Sequence, residues 1–409
     1  MNFATTVALV RWLGLELFGV FSLVWMLVLF ALGLQQAFLS LPMLTIGPKQ
    51  REEERPDYYA ALLSLEFLFS FVAIALVWGG CHIASEFFGQ ERLAGVGLQV
   101  ALLVCVKQAH AFIRSYFFSR DRRGAVLAND AVAYGGQIVL LYVLHRSGTL
   151  DLKSAIWAIV LTSGIACALG LVQYERIATT RERLVSVARR HWKFSRWLVA
   201  KAILQWFSSN YFLIAAGALL GTGALGALKA AQTVLGVLHV FFLAMENAVP
   251  VRAARILVTE GLGSLTRYME RLAWIGTGFT LATSLILLTW PGVLLGLLYG
   301  ETSPELETAL RGFAILYVFV FEVAVLQLLL RTLERTRPIF TAFAVNAVLS
   351  IFVAYPLVEA FGLIGAVAGM VGQQLLMAGL MFLSLGKILN NTLEEDSLAA
   401  TRFRARPLP

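Results

Sequence analysis

Long apolar runs alternate with short polar punctuation along the whole chain, and the runs show no alternation of period two. A hydrocarbon layer of about 30 Å takes roughly 20 apolar residues per helical crossing. Closed barrels are written instead as short alternating segments. The Leu- and Ala-rich runs therefore predict an all-α polytopic membrane protein of about twelve transmembrane helices. They fall near 2–13, 18–46, 58–84, 93–117, 125–144, 154–175, 198–220, 225–250, 272–299, 309–331, 339–359 and 362–388. The first is short for a crossing, so either the start lies upstream or this helix spans incompletely.

One pattern occurs twice. "LGLELFG" at Leu13 to Gly19 returns as "LGTGALG" at Leu220 to Gly226, each at the connection between the first two crossings of a group of six. Pro42 and Pro250 follow at nearly the same interval and are expected to close the second and eighth crossings. A repeated bend at a repeated position implies a duplicated six-helix unit. An even number of crossings gives both copies the same orientation, hence parallel repeats about an axis along the membrane normal. The expected domains are an N-terminal lobe at 1–175, a basic cytoplasmic linker at 176–197, a C-terminal lobe at 198–388 and a cytoplasmic tail at 389–409.

Composition agrees. Hydrophobic residues make up 59% of the 409 and charged residues only 14%, which excludes an ordinary soluble surface. The net charge of +8 is unevenly placed. Alternate connections and the tail hold 26 of the 33 Lys and Arg residues, which puts that side and both termini in the cytoplasm. The most basic stretch, "ERIATTRERLVSVARRHWKFSRW", lies between crossings six and seven and suits a helix resting on anionic membrane lipid rather than a nucleic-acid site. Cys81, Cys105 and Cys167 stand singly in apolar runs and read as packing residues.

Three stretches carry a family resemblance: "VRWLGLELFGVFSLVWMLVLFALGLQQAFLSLP", "RSYFFSRDRRGAVLAND" and "GALGALKAAQTVLG". They resemble bacterial polysaccharide and O-antigen flippases, members of the superfamily that also holds multidrug antiporters and peptidoglycan lipid flippases. The resemblance implies two six-helix lobes around a cavity that opens alternately to either side of the cytoplasmic membrane. It implies as substrate a polyprenyl-pyrophosphate-linked oligosaccharide, as partners a polysaccharide polymerase and glycosyltransferases, and no cofactor beyond a coupling proton or sodium ion.

Ionisable residues inside membrane helices are costly and usually face a cavity or a partner. Lys107, His110 and Arg114 share one face of the fourth crossing and form a cationic stripe suited to an anionic pyrophosphate. Arg114 is equally placed to pair with Asp130 across the hairpin, while neutral Gln137 stands at the depth of Lys107. Lys229 enters the eighth crossing, where it serves a cavity or snorkels to headgroups. Glu66 and Glu322, the latter opposite Asn346 in the next crossing, are the carboxylates available for cation coupling or for ion pairing. Gln35, Gln36, Gln205 and Asn210 suit sugar hydroxyls or interhelical hydrogen bonds.

No catalytic constellation emerges. The histidines are scattered without metal spacing, and no phosphate-binding glycine loop precedes a lysine. A lipid-linked oligosaccharide flippase is the first reading and a cation-coupled multidrug antiporter the second. A membrane-embedded acyl- or glycosyltransferase would need a clustered acid, base or nucleophile near one interface.

Overall fold

The computed structural model describes residues 3–88, 97–175, 179–300 and 302–404. The third-to-fourth connection, the first three residues of the basic linker and the last five of the tail lie outside the described residues, as does the Cys81 side chain. Among the described residues the chain is helical and has no strand, and it is a multi-pass membrane protein. Eight stretches are long and apolar enough to span, and two of them, Phe3–Lys49 and Arg337–Lys387, each contain two expected crossings. The fourth crossing, interrupted by its cationic stripe, and the eighth are not among the eight.

In chain order the helices are α1 (Phe3–Gln35), α2 (Leu41–Ile46), α3 (Arg55–Phe88), α4 (Gly97–Ser119), α5 (Arg123–Asp130), α6 (Gly136–Arg146) and α7 (Leu152–Val172). They continue as α8 (Arg181–Leu220), α9 (Thr222–Val234), α10 (Gly236–Glu260), α11 (Leu262–Thr289), α12 (Pro291–Tyr299), α13 (Pro304–Thr332) and α14 (Arg337–Arg404). Contacts divide the chain into two compact units, Met1–Asn210 with Thr222–Ala230, and Tyr211–Gly221 with Ala231–Pro409.

The repeated glycines divide their labour. Gly14 at φ 77°, ψ 168° and Gly221 at φ 90°, ψ 172° make the same one-residue bend, in a region that only glycine enters cheaply. Gly19 and Gly226 are helical and pack together. A Cβ on Gly19 would overlap the Thr222 carbonyl, and one on Gly226 would overlap the Leu15 carbonyl.

The two prolines do not end their helices. Pro42 follows a π-helical turn at Gln36–Ser40, after which the chain stays helical through Ile46, and Pro250 lies inside α10. The π turn relieves the clash that a proline ring makes with the carbonyl four residues earlier. Within the expected ninth crossing the helix stops at Thr289 and restarts at Pro291, a residue favoured at a helix start because it has no N–H to leave unpaired.

In the first unit α4 is the central helix, packed on α1, α3 and α7. That position explains why Lys107 and His110 of its polar stripe are interior, while Arg114 at the end of the stripe is exposed. At one end of α4, Tyr58, Tyr59, Phe112, Tyr116 and Tyr174 form an aromatic core, and Val187 of α8 belongs to it. The Tyr174 hydroxyl donates to the Tyr59 carbonyl at 2.9 Å, and Arg120 pairs with Glu175. The second unit is arranged around α13, which packs on α10, α11 and α14.

The basic stretch forms the start of α8 and carries two faces. His191 and Ser195 are buried, whereas Trp192 and Trp197 are exposed. The 40 residues of α8 extend about 60 Å, twice the hydrocarbon thickness. Its first half is thus a surface-suited amphipathic helix whose inner side is core.

Candidate functional site

Leu34, Gln35 and Gln36 are consecutive on one helix, so their side chains leave it about 100° apart. Each meets a different environment. Leu34 lines an apolar groove of 550 Å³, Gln35 binds a buried carboxylate, and Gln36 lines a polar cavity of 400 Å³.

The buried carboxylate belongs to Glu66 of α3. Gln35 Nε2 donates to Glu66 Oε2 at 2.8 Å and to the Gln108 carbonyl at 2.7 Å. Ser70 Oγ donates to Glu66 Oε1 at 3.1 Å. Both donors are neutral, and among the described residues no Lys, Arg or His stands within ion-pair distance of Glu66. A carboxyl so placed can hold or release a proton without breaking a salt bridge.

The polar cavity lies between the end of α1, the π turn and α8. Gln36 faces Lys201, Gln205, Ser209 and Asn210, and Trp206 forms part of the wall. Trp206 is held by its indole N–H, which donates to the Met26 carbonyl at 3.3 Å, and by Phe30, whose ring centre is 4.8 Å away. Amides and hydroxyls at fixed positions beside an indole face offer hydrogen bonds and a flat apolar surface, the two features by which a sugar ring is held. The volume falls in the range of small-molecule sites.

Of the residues expected to bind sugar, Gln36, Gln205 and Asn210 meet in this cavity and Gln35 does not. Lys201, Trp206 and Ser209 were missed. Their signal was present: Lys201, Gln205 and Ser209 recur every four residues along one face of α8.

The cationic stripe has another setting. Arg114 Nε lies 3.0 Å from Asp130 Oδ2, and His110 Nε2 lies 3.6 Å from Asp130 Oδ1. Lys107 is buried beneath Tyr134, whose ring centre is 4.7 Å from Nζ, with Trp25 at 6.0 Å. Among the described residues its amino group has no hydrogen-bond partner, and it is not among those lining the groove or the cavity. Tyr134 sits in a second π turn, Ala131–Gly135, directly after Asp130. Gln137 donates to Thr5 Oγ1 at 2.8 Å.

The remaining expected residues are dispersed. Lys229 is half-buried on α9, three residues beyond Gly226. Glu322 accepts from Thr277 of α11, while Asn346 donates to Met377 Sδ at 3.3 Å. The hydroxyl of α11 therefore takes the place that the hairpin arrangement assigned to Asn346. Cys167 is buried with its thiol against the Val106 carbonyl. Among the described residues no three metal-binding side chains converge.

A family model described as a polysaccharide biosynthesis protein matches residues 8–251. The chain belongs to this family. The matched residues include every side chain of the groove, the Glu66 network and the polar cavity, so these features sit within the part that defines membership. A second model, MatE, matches residues 198–356.

Solved structures share the fold. A multidrug resistance MATE family transporter of the MOP superfamily in an inward-facing conformation aligns with a TM-score of 0.79 at 13% identity, over 96% of this chain and 94% of that one. The lipid II flippase MurJ, inward closed, aligns with a TM-score of 0.75 at 11% identity, over 94% and 84%. A MOP superfamily transporter from Pyrococcus furiosus, described by a reverse polarity of its binding pocket, aligns with a TM-score of 0.61 at 14% identity, over 96% and 91%. No curated protein matches the sequence. The polysaccharide biosynthesis family member thus has the fold of MOP-superfamily transporters.

Proposed function

We propose that this protein moves a polyprenyl-pyrophosphate-linked oligosaccharide across the cytoplasmic membrane by alternating access, for surface polysaccharide synthesis. The observation that carries the reading is the polar cavity inside a polysaccharide biosynthesis family member, where amides, a hydroxyl, an indole and Lys201 converge. Gln36, Gln205, Ser209 and Asn210 bind sugar hydroxyls, Trp206 supports a ring face, and Lys201 attracts the pyrophosphate. Both termini lie in the cytoplasm. A polymerase and glycosyltransferases consume and supply the glycan, and the exposed basic and tryptophan face of α8 rests on anionic lipid. Glu66 exchanges the coupling proton, with Glu322 as a second carboxylate in the other unit. Lys107, His110 and Lys229 supply interior positive charge outside the linings of the groove and the cavity.

The multidrug antiporter reading draws on the MatE match. A cationic drug is poorly matched to a cavity whose one ionisable lining residue, among the described residues, is Lys201.

Deleting the gene should cause a polyprenyl-linked oligosaccharide to accumulate on the inner leaflet, measured in extracted lipids. Lys201→Ala and Gln205→Ala should each reduce glycan export at least tenfold at matched membrane abundance. Lys107→Ala tests the interior charge in the same assay. Normal lipid profiles in the deletion strain, with increased sensitivity to cationic drugs, would replace this reading by the antiporter.

A further inference from the structure

The apolar groove beside the polar cavity is built for a linear chain. Its α1 wall carries Leu23, Leu27, Phe30 and Leu34, which recur every three or four residues and form a single stripe. At the helical rise that stripe runs about 16 Å. The opposite wall, Phe69 to Val77 of α3, is equally apolar. Among the described residues the lining offers one polar side chain, Gln108, whose amide is turned to the Ala31 carbonyl at 3.2 Å. A compact solute would leave most of such a slot empty, while a hydrocarbon chain fills it lengthwise.

The groove is not isolated from the polar cavity. Phe30 lines both, and Leu34 and Gln36 carry the two linings to within two residues of each other. An amphiphile whose tail lies along the α1–α3 groove would therefore place its head around Phe30, at Gln36. The rim of the groove is open, since Val72 and Leu76 are exposed, so a chain enters sideways from the hydrocarbon without crossing the headgroups.

Resting on the transport reading above, we infer that the α1–α3 groove is the binding site for the polyisoprenoid tail of the substrate, with Phe30 as the divider between tail and head. The tail thereby stays registered against the same helix that holds the sugars, and recognition of the lipid carrier is independent of the glycan attached to it.

The test uses the full-length protein in nanodiscs of phosphatidylethanolamine and phosphatidylglycerol, with a benzophenone amino acid at Ala73. A long-chain polyisoprenyl monophosphate without sugar is the probe, and adducts are read by mass spectrometry. The expected result is an isoprenoid adduct enriched at least tenfold over its mole fraction, and loss of that enrichment in Val72→Trp or Leu27→Trp, which fill the slot. The same photoreactive group at Leu169, exposed on α7, should report bulk lipid. Adducts at Ala73 that follow bulk phospholipid composition would overturn the assignment. Because the probe carries no glycan, isoprenoid labelling in a protein whose deletion leaves glycan export normal would keep the groove and remove the transport reading. Bulk labelling in a protein required for export would do the reverse.

Discussion

Gly19 and Gly226 pack against each other reciprocally: each occupies the space beside the carbonyl four residues before the other, at Thr222 and Leu15. This is the contact pattern of a two-fold relation, in which i meets j as j meets i. The two glycines hold equivalent places in the repeated sequence. No side chain fits between the two backbones, so helices approach there as closely as small residues permit.

Gly19→Ala and Gly226→Ala should therefore destabilise by similar amounts, about 1–3 kcal/mol each, as an overpacked contact does. Gly223→Ala is the control, because a Cβ there meets nothing within 4 Å. It should be neutral or raise stability by up to about 1 kcal/mol, through helix propensity. Thermal unfolding of the three purified variants reads the difference. Unchanged melting of Gly19→Ala would remove this contact from the resting structure.

Arg114 and Asp130 join α4 to α5 where both are partly exposed. Losing either should cost about 1 kcal/mol, since exposed pairs contribute little. The loss should be larger for Asp130→Ala, which also deprives His110 of its neighbour. Exchanging the two residues should recover part of the folded yield, measured by fluorescence-detected size exclusion. Equal yields from both single variants and wild type would show that the pair holds nothing.

His191 occupies a position that its neighbours define. Pro42 has no N–H, so the Phe38 carbonyl lacks its α-helical donor. His191 Nδ1 stands 3.2 Å from that oxygen, and the Tyr58 hydroxyl stands 2.9 Å from Nε2. A carbonyl only accepts, so in the neutral ring Nδ1 carries the hydrogen and Nε2 accepts from Tyr58. His191→Ala leaves two buried polar groups unpaired and should cost about 1–3 kcal/mol or more. His191→Gln, with one donor and one acceptor, should recover part of it in denaturation monitored by tryptophan fluorescence. A melting temperature for His191→Ala equal to wild type would sink this account.

Asp151 caps α7 in a capping box: its carboxylate accepts the Ser154 N–H at 2.7 Å, while the Ser154 hydroxyl accepts the Asp151 N–H at 2.7 Å. The Ser154 N–H holds the Asp151 carboxyl below its ordinary value. A group with a depressed folded-state value stabilises fully above its unfolded value and loses that contribution as the pH falls through the folded one. Asp151→Ala should thus cost about 1 kcal/mol at pH 7, the usual worth of an N-cap, and progressively less below pH 4. Melting temperatures of the two proteins that stay equally far apart down to pH 3 would contradict the capping role.

The membrane class, the helix count and the duplicated bend were legible because each rests on a local property: apolar run length, or a backbone angle that needs glycine. Gln36, Gln205 and Asn210 were legible as polar residues in apolar surroundings. Their convergence was not, because it depends on the angle between α1 and α8. Lys201 was hidden by its neighbours, since it follows the most basic stretch of the chain by four residues and reads there as one more surface charge. The stripe of Lys107, His110 and Arg114 was legible as a face of α4. Which side that face meets is a matter of packing, and the three helices around α4 bury Lys107 and His110 while leaving Arg114 exposed. The π turns have no signature in side-chain periodicity beyond the proline that one of them precedes.

The three successive residues at the end of α1 act like teeth on a single wheel. A rigid helix that rolls by one residue moves Leu34, Gln35 and Gln36 together, so the slot, the carboxylate and the polar cavity all exchange their facing side chain in one step. Withdrawing Gln35 from Glu66 then coincides with a change of lining at both ends of a bound amphiphile. On the transport reading proposed above, proton occupancy and cargo occupancy would share one rotational coordinate, and neither would be reset without the other.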